Sequence, residues 1–174
     1  MSTSTADSGA GTLRQAILDA NATPGKDLIT FNLAGGPPFT ITPASGLPTI
    51  TEQVTINGAS QPGYAGTPLV GLVGTGAGTT SGLDIITSNT TVRALFINRF
   101  NGSGIQIQNG QNNTVAGCFI GTSPAGTARL VNTVAGVAIL NGRNNRVGGT
   151  NANDKNLLSG NQTGVWLAGL IATG

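Results

Sequence analysis

One short pattern returns four times between Gly82 and Leu167, and this repetition restricts the possible folds more than any other feature of the sequence. Each copy opens with a glycine followed by an alternating apolar triplet. The openings are Gly82-Leu83-Asp84-Ile85, Gly104-Ile105-Gln106-Ile107, Gly136-Val137-Ala138-Ile139 and Gly164-Val165-Trp166-Leu167. An apolar residue at every second position predicts a β-strand, and a pattern that returns along the chain predicts a repeat architecture.

A polar corner and a second apolar run follow the first three openings. The corners are Asn89–Val92, Asn112–Val115 and Asn144–Val147. The run Val92–Ile97 then matches Val115–Ile120 position for position, and Leu157-Leu158 is a weaker third copy. The opening glycines lie 22, 32 and 28 residues apart. We therefore predict a unit of strand, corner, strand and corner, into which loops of variable length are inserted.

Units of this length cannot bury their own apolar face, so they must stack and pair their strands with those of the next unit. A sandwich or barrel also has many short strands, but it does not return the same residue types to the same place in each unit. The sequence therefore predicts an all-β parallel solenoid. The asparagines at the corner before each opening are expected to stack, with their side-chain amides hydrogen-bonded to one another as a ladder, and asparagine also tolerates the backbone angles of tight turns.

The first residues predict a short helix that caps one end of the solenoid. Thr12 is the expected N-cap, and Gln15 is expected to complete a capping box with it. Leu13, Ala16, Ile17 and Ala20 share one helical face. We divide the chain into a strand and capping helix at 1–27 and parallel coils at 28–174. Because a new coil opens at Gly164, the C-terminal end is predicted to be uncapped and to associate with itself.

A family resemblance supports this architecture. The run Asp7–Ile17, continued by Ala20-Asn21 and Ile29–Phe31, resembles the Cys-Ser-Leu-Arg-Glu-Ala motif region that begins right-handed parallel β-helix segments in large secreted or surface-attached bacterial proteins. Gln61–Pro68 and Ile120–Thr122 are also similar to that group. Gly11-Thr12 stands in place of Cys-Ser, and Gln15 in place of Glu.

The resemblance implies a pectate-lyase-like, right-handed β-helix from an extracellular or cell-surface adhesin-like protein. It also implies that the chain is a piece of something longer. It carries over no catalytic site, because fold alone does not specify function.

The residues themselves argue against catalysis. The chain has no histidine, which excludes a serine triad and histidine-bound metals. In the repeat region the carboxylates are Asp84 and Asp154, and we expect them to lie too far apart for the paired carboxyl groups of a glycosidase. The prediction is therefore no catalytic residue, no metal site and no cofactor, and it leans against an enzyme. Cys118, in the column of Leu95, is predicted to be a packed side chain.

Charge is unevenly distributed along the chain. Up to Ile85 there are two basic and five acidic residues, a net charge of −3, and from Ile86 there are six basic residues and one acidic, a net charge of +5. A basic half attracts polyanions, although scattered cations also simply keep a flat surface soluble. Nucleic acid is disfavoured, because a dense basic stripe with interleaved aromatics is missing. No apolar run reaches transmembrane length, so membrane insertion is not expected.

Five residues are candidates for ligand binding. Arg143 and Arg146 should leave the same corner, because Gln111 aligns with Arg143 and Thr114 with Arg146. With Arg129 and Lys155 on inserted loops, they could line a groove for an acidic polysaccharide, or they are ordinary solvated cations. Trp166 should end an outward column of Asp84, Gln106 and Ala138. It is either a sugar-stacking platform or a side chain that a further coil would cover.

These observations predict a non-catalytic structural or adhesive module of an extracellular bacterial protein. The alternative is a module that binds or cleaves acidic polysaccharide at Arg129, Arg143, Arg146 and Lys155.

Overall fold

The computed structural model describes residues 1–169. Within them the chain forms one α-helix and fourteen short strands. These elements are α1 (Leu13–Ala22), β1 (Asp27–Thr30), β2 (Phe39–Ile41), β3 (Val54–Asn57), β4 (Val70–Val73), β5 (Leu83–Ile85), β6 (Thr91–Arg93), β7 (Leu95–Asn98), β8 (Ile105–Gln108), β9 (Thr114–Ala116), β10 (Phe119–Ile120), β11 (Ala135–Leu140), β12 (Arg146–Val147), β13 (Leu157–Leu158) and β14 (Thr163–Ala168). The predicted repeat region extends to Gly174, and its last five residues lie outside those described.

The strands form three sheets, and every pairing between them is parallel. Sheet 1 has the order β1-β3-β6-β9-β12, sheet 2 the order β2-β4-β7-β10-β13, and sheet 3 the order β5-β8-β11-β14. The chain thus passes through sheets 1, 2 and 3 in the same sequence each time. We number these five passes from the N-terminus; the first reaches sheet 3 through one bridge between Ile50 and Ile85. The prediction of a parallel all-β chain with one helix is confirmed for the described residues.

The register of the sheets matches the repeat found in the sequence. In sheet 3, Ile105 pairs with Leu83 and Val137, and Val137 pairs with Val165. In sheet 1, the corner valines Val92, Val115 and Val147 are aligned. In sheet 2, Phe119 pairs with Phe96 on one side and Leu157 on the other. Equivalent residues of successive passes therefore lie side by side.

The repeat unit differs from the prediction in its number of strands. The run Val92–Ile97, predicted as one strand, is divided between β6 in sheet 1 and β7 in sheet 2. The break is at Ala94, which has φ 56°, and the matching residue of the next pass, Gly117, has φ 65°. A single residue in this left-handed region redirects the chain, so a complete pass has three strands rather than two.

The inward side chains of the first four passes form one continuous apolar core, Val147 and Leu158 of the fifth pass pack against it, and α1 extends it at the first pass. Leu13, Ile17 and Ala20 of α1 are buried in this core. Thr12 is the N-cap as predicted, since its Oγ1 accepts from the Gln15 N–H at 3.2 Å. The prediction of a capping box is wrong, because the Gln15 side chain donates to Asp19 Oδ1 at 2.8 Å rather than returning to Thr12. The reason is that the Thr12 N–H already donates to the Gly9 carbonyl at 3.3 Å.

Asparagine side chains join neighbouring passes by a repeated pair of hydrogen bonds. In each case Oδ1 accepts from a backbone N–H of the preceding pass, and Nδ2 donates to the carbonyl three residues before that N–H. Asn113 bridges Thr90 and Thr87, Asn145 bridges Asn113 and Gly110, Asn132 bridges Phe100 and Ile97, and Asn156 bridges Cys118 and Val115, at 2.8–3.1 Å. The predicted ladder of amides bonded to one another is seen at one step, where Asn132 Nδ2 donates to Asn161 Oδ1 at 3.0 Å. The bonds described above instead join the amides to backbone groups of tight turns.

Cys118 is packed as predicted. Its side chain is fully buried, one position before the pairing of Phe119 with Phe96. Sγ lies 3.9 Å from the Val92 carbonyl and 3.4 Å from the Ala116 carbonyl. Burial raises the pKa of the thiol to about 11.

Within residues 1–169, no helix is long and apolar enough to cross a membrane.

Candidate functional site

The five predicted site residues all lie in the last described pass or against it. We call β12, β13 and β14 the last-pass edge, because each is the outermost described strand of its sheet. Val165 and Leu167 of β14 are in register with the core residues Val137 and Ile139. Yet they are 39% and 69% exposed, whereas Val137 and Ile139 are 0% and 6% exposed. The last-pass edge thus presents core-facing apolar side chains to the surface.

Arg143 and Arg146 lie at the junction between sheets 3 and 1, in the alignment that the sequence predicted. Arg143 forms a parallel bridge with Gln111, and Arg146 is in register with Thr114. Their backbones are held by bonds from the Arg146 N–H to the Asn113 carbonyl at 2.8 Å and from the Arg143 N–H to the Gly110 carbonyl at 3.4 Å. Both side chains are exposed, so the structure brings these two arginines together on one corner.

The other two cations lie at different junctions. Arg129 follows β10, between sheets 2 and 3, and its Nε donates to the Gly160 carbonyl of the last pass at 3.0 Å. Lys155 lies between β12 and β13, at the junction of sheets 1 and 2, and is exposed. The four cations therefore surround the last-pass edge at three junctions. Ligand binding by them stays a prediction.

These cations have no acidic partner among residues 1–169. The one ion pair in that part of the chain joins Arg14 Nη2 to Asp7 Oδ1 at 2.6 Å, far from this edge in sequence. Asp154 is the nearest carboxylate in sequence to Lys155, but it is buried and accepts from Asn151 Nδ2 at 2.8 Å. Four exposed cations without counter-ions give this edge a positive potential, which favours anionic surfaces.

Trp166 ends the column that the sequence predicted. In sheet 3, Asp84 pairs with Gln106, Gln106 with Ala138, and Ala138 with Trp166. None of these four side chains belongs to the apolar core cluster, in contrast to their neighbours along each inner strand. Trp166 is 44% exposed. Nearly half of its surface is therefore open for contact with another molecule.

Asp84 and Asp154, the two carboxylates of the repeat region, lie in different parts of the fold. Asp84 lies three strands from Trp166, a distance of roughly 14 Å at about 4.8 Å per strand. Burial raises the pKa of the Asp84 carboxyl, opposed by a hydrogen bond from Ser81. Asp154 lies in a short 3₁₀ turn at the junction of sheets 1 and 2, not in sheet 3. Residues 1–169 also contain no group of three or more side chains suited to hold a metal ion.

A second surface feature, at the opposite end, was not predicted from the sequence. A cavity of about 170 Å³ lies between α1 and β1, and its lining includes Met1, Asp19, Asp27 and Leu28. The Oδ2 atom of Asp27 is buried there without a hydrogen-bond partner within the described residues. The amphipathic pattern of α1 predicted a cap, but a pattern alone does not show where a cap leaves space.

No family model matches this chain, and no curated protein matches its sequence. The resemblance to β-helix modules therefore depends on the motif residues themselves.

Proposed function

We propose that this chain is a non-catalytic structural module, a right-handed parallel β-helix belonging to an extracellular or cell-surface bacterial protein of the adhesin-like type. It acts as a rigid spacer or display surface and associates through its last-pass edge. The observation that carries this proposal is the continuous core, which runs through the first four passes and against which Val147 and Leu158 of the fifth pass pack, with no metal-binding cluster among residues 1–169.

Rigidity follows from how neighbouring passes are joined. Parallel backbone pairing holds each pass to the next in three sheets, and asparagine amides add a second set of bonds at the turns. In repeat architectures of this kind each unit contacts mainly its neighbours, so the bonds between neighbours determine stiffness and stability. A module held in this way transmits force and keeps its surface loops at fixed spacing.

The chemistry of the surface agrees with a non-catalytic role. Asp84 and Asp154 belong to different sides of the molecule, whereas a glycosidase needs two carboxyl groups about 5–10 Å apart across the bond to be cleaved. A calcium-dependent lyase needs several oxygen ligands around its cation, and the described residues offer no such group.

A polysaccharide screen tests this role. The protein is applied to an array of neutral and acidic glycans, and incubated with pectate and alginate in the presence of calcium while ultraviolet absorbance of unsaturated products is followed. We expect no product. Product formation that scales with protein concentration, and that persists in preparations from a host without lyases, contradicts a non-catalytic module.

Binding of acidic polysaccharide at the corner of Arg143 and Arg146 is a second candidate, favoured by their shared exposure and lack of acidic partners among the described residues. Its test is the double variant R143A/R146A, with K26A as the matched control because Lys26 is an exposed cation at the other end of the chain. Saturable binding that the double variant loses and K26A keeps supports this candidate. Equal binding by all three proteins removes it.

A further inference from the structure

The two ends of the described structure differ in charge but resemble each other in exposed apolar surface. Among residues 1–169 seven large apolar side chains are exposed, and six of them lie in the first thirty residues or in β14: Met1, Leu18, Leu28, Val165, Trp166 and Leu167. Soluble proteins seldom leave such side chains clustered without a binding role. Their placement indicates two contact surfaces, one at each end of the series of passes.

The first-pass end, which comprises α1 and β1, is acidic. Residues 1–53 carry four acidic and two basic side chains, and one of those basic side chains, Arg14, is already paired with Asp7. Asp19 and Asp27 line the cavity beside Met1 and Leu28. At about 170 Å³ this cavity is smaller than the range of about 300–1,000 Å³ typical of small-molecule sites. It fits a single side chain better than a separate ligand.

The last-pass edge has the opposite charge. Residues 129–169 carry four basic side chains and one acidic one, and that acidic residue, Asp154, is buried. Two copies meeting through their last-pass edges would face cation against cation, and two meeting through their first-pass ends would face carboxylate against carboxylate. Like charges placed opposite one another disfavour association. Of the three arrangements, only head to tail places the basic last-pass edge of one copy against the acidic first-pass end of another.

We infer that copies of this chain associate head to tail, with the last-pass edge of one copy seated on the first-pass end of the next. This inference rests on the proposed self-association and specifies its partner surface. Val165, Trp166 and Leu167 contact the apolar residues around α1, while the surrounding arginines face Asp19 and Asp27. A basic side chain that reaches the cavity supplies the donor that Asp27 Oδ2 lacks. Because α1 covers the first-pass end, the contact is between a sheet edge and a helix rather than strand to strand.

A head-to-tail contact uses two different surfaces, so each bound copy leaves one of each surface free and assembly continues. The average mass measured by sedimentation velocity should therefore rise with protein concentration past that of a dimer. It should fall as salt is raised from about 0.05 to 0.5 M, because salt screens attraction between exposed charges. Trp166 is the one tryptophan of the chain, so its fluorescence should shift to shorter wavelength as its ring is buried.

Two variants, each altering one surface, separate the possible arrangements. L18K alters the first-pass end and L167E alters the last-pass edge, and both replace exposed residues. We expect each variant alone to stay monomeric, while an equimolar mixture forms a dimer and stops at twice the 17.3 kDa of one chain. The mixture does so because L18K keeps a functional last-pass edge and L167E keeps a functional first-pass end. Circular dichroism and thermal melting of each variant confirm that it is folded.

Other outcomes overturn the inference in distinguishable ways. If L18K alone still dimerises and L167E does not, the last-pass edge binds itself; self-association survives and the head-to-tail arrangement fails. If L167E alone dimerises, the first-pass end binds itself. Association through the last-pass edge and the head-to-tail arrangement are then both wrong. A monomer at every concentration and salt removes self-association altogether, and leaves the non-catalytic role to the polysaccharide screen.

Discussion

The amide of Asn113 offers the sharpest test of how the passes are held together. Its side chain is 1% exposed. Oδ1 accepts from the Thr90 N–H at 2.8 Å, and Nδ2 donates to the Thr87 carbonyl at 3.0 Å. In N113A both bonds are lost. The Thr90 N–H is left in a fully buried residue, whereas the half-buried Thr87 carbonyl keeps some access to water.

The expected cost of N113A follows from these two groups. A buried donor left without a partner costs about 1–3 kcal/mol, and the loss of an ordinary hydrogen bond costs about 0.5–1.5 kcal/mol. We therefore expect the free energy of unfolding to fall by about 2–4 kcal/mol. For a chain of this length, that lowers the melting temperature by about 4–16 °C. Denaturant titration followed by circular dichroism measures the change directly.

N101A is the matched control for N113A. The Asn101 side chain is exposed and makes one bond, from Nδ2 to the Gly78 carbonyl at 3.2 Å. The same substitution there should cost less than about 1 kcal/mol. If N113A is no more destabilising than N101A, the amide bridges do not hold the passes together and the reasoning fails.

The variant N113D adds a pH test at the same atoms. Its carboxylate can still accept from the Thr90 N–H, but it faces the Thr87 carbonyl with a second acceptor, and burial disfavours its charge. The pKa of the introduced carboxyl is therefore raised in the folded state, which holds the proton over a range where the unfolded state has released it. Stability of N113D relative to the unaltered protein should then increase as pH falls from about 7 toward about 4. A difference that does not change with pH would refute this account.

Three further predictions follow from single positions. In G104A the new Cβ would meet Ile120 Cγ2 and lie 2.8 Å from the Gly136 carbonyl, so denaturant titration should show a loss of about 1–3 kcal/mol; unchanged stability contradicts the close packing of the opening glycines. D84N should be more stable than the unaltered protein at pH 7. Because the pKa of Asp84 is raised in the folded state, its charged form at pH 7 destabilises the folded protein, and D84N removes this charge. The stability gained by D84N should therefore vanish below about pH 3.9, the ordinary pKa of Asp, where the carboxyl is protonated in both the folded and the unfolded state. A stability gain that is constant across pH argues against burial as the cause. Cys118, fully buried with a thiol pKa of about 11, should resist a thiol reagent at pH 8 until the protein unfolds, and rapid reaction in the folded state would contradict its packing.

Much of the fold was predictable because it depends on patterns that neighbouring passes share. Glycine openings and corner valines return at recognisable places, and stacked passes must align equivalent residues to bury their apolar faces. Register followed from this alone: the sequence placed Trp166 in the column of Ala138 and Arg146 beside Thr114, and both pairings are present. The placement of asparagine at tight turns was predicted on the same basis, but the sequence predicted bonds between amides, whereas most of the observed bonds join an amide to the backbone of the preceding pass.

The candidate site was predictable only in part. The shared corner of Arg143 and Arg146 follows from repeat alignment, so it was found. Arg129 and Lys155 lie on inserted loops that the repeat does not align, so their distribution over separate junctions became visible only in the structure. The cavity beneath α1 has no sequence signal, because its lining combines Met1 with residues of α1 and β1, and a helical pattern does not specify how these segments are placed relative to one another.

Parallel stacking of the passes and the alignment of their residues were already specified by the repeat in the sequence, because repeated apolar positions are buried only when equivalent residues of neighbouring passes lie side by side. The number of strands in each pass could be read only from the folded chain. Val92–Ile97 has the composition of one strand, and its division at Ala94 depends on a single left-handed residue whose cost, about 1–2 kcal/mol, is offset by packing against the passes on either side. The opposite charges of the two ends were present in the sequence, but only the order of strands in the three sheets placed them at opposite ends.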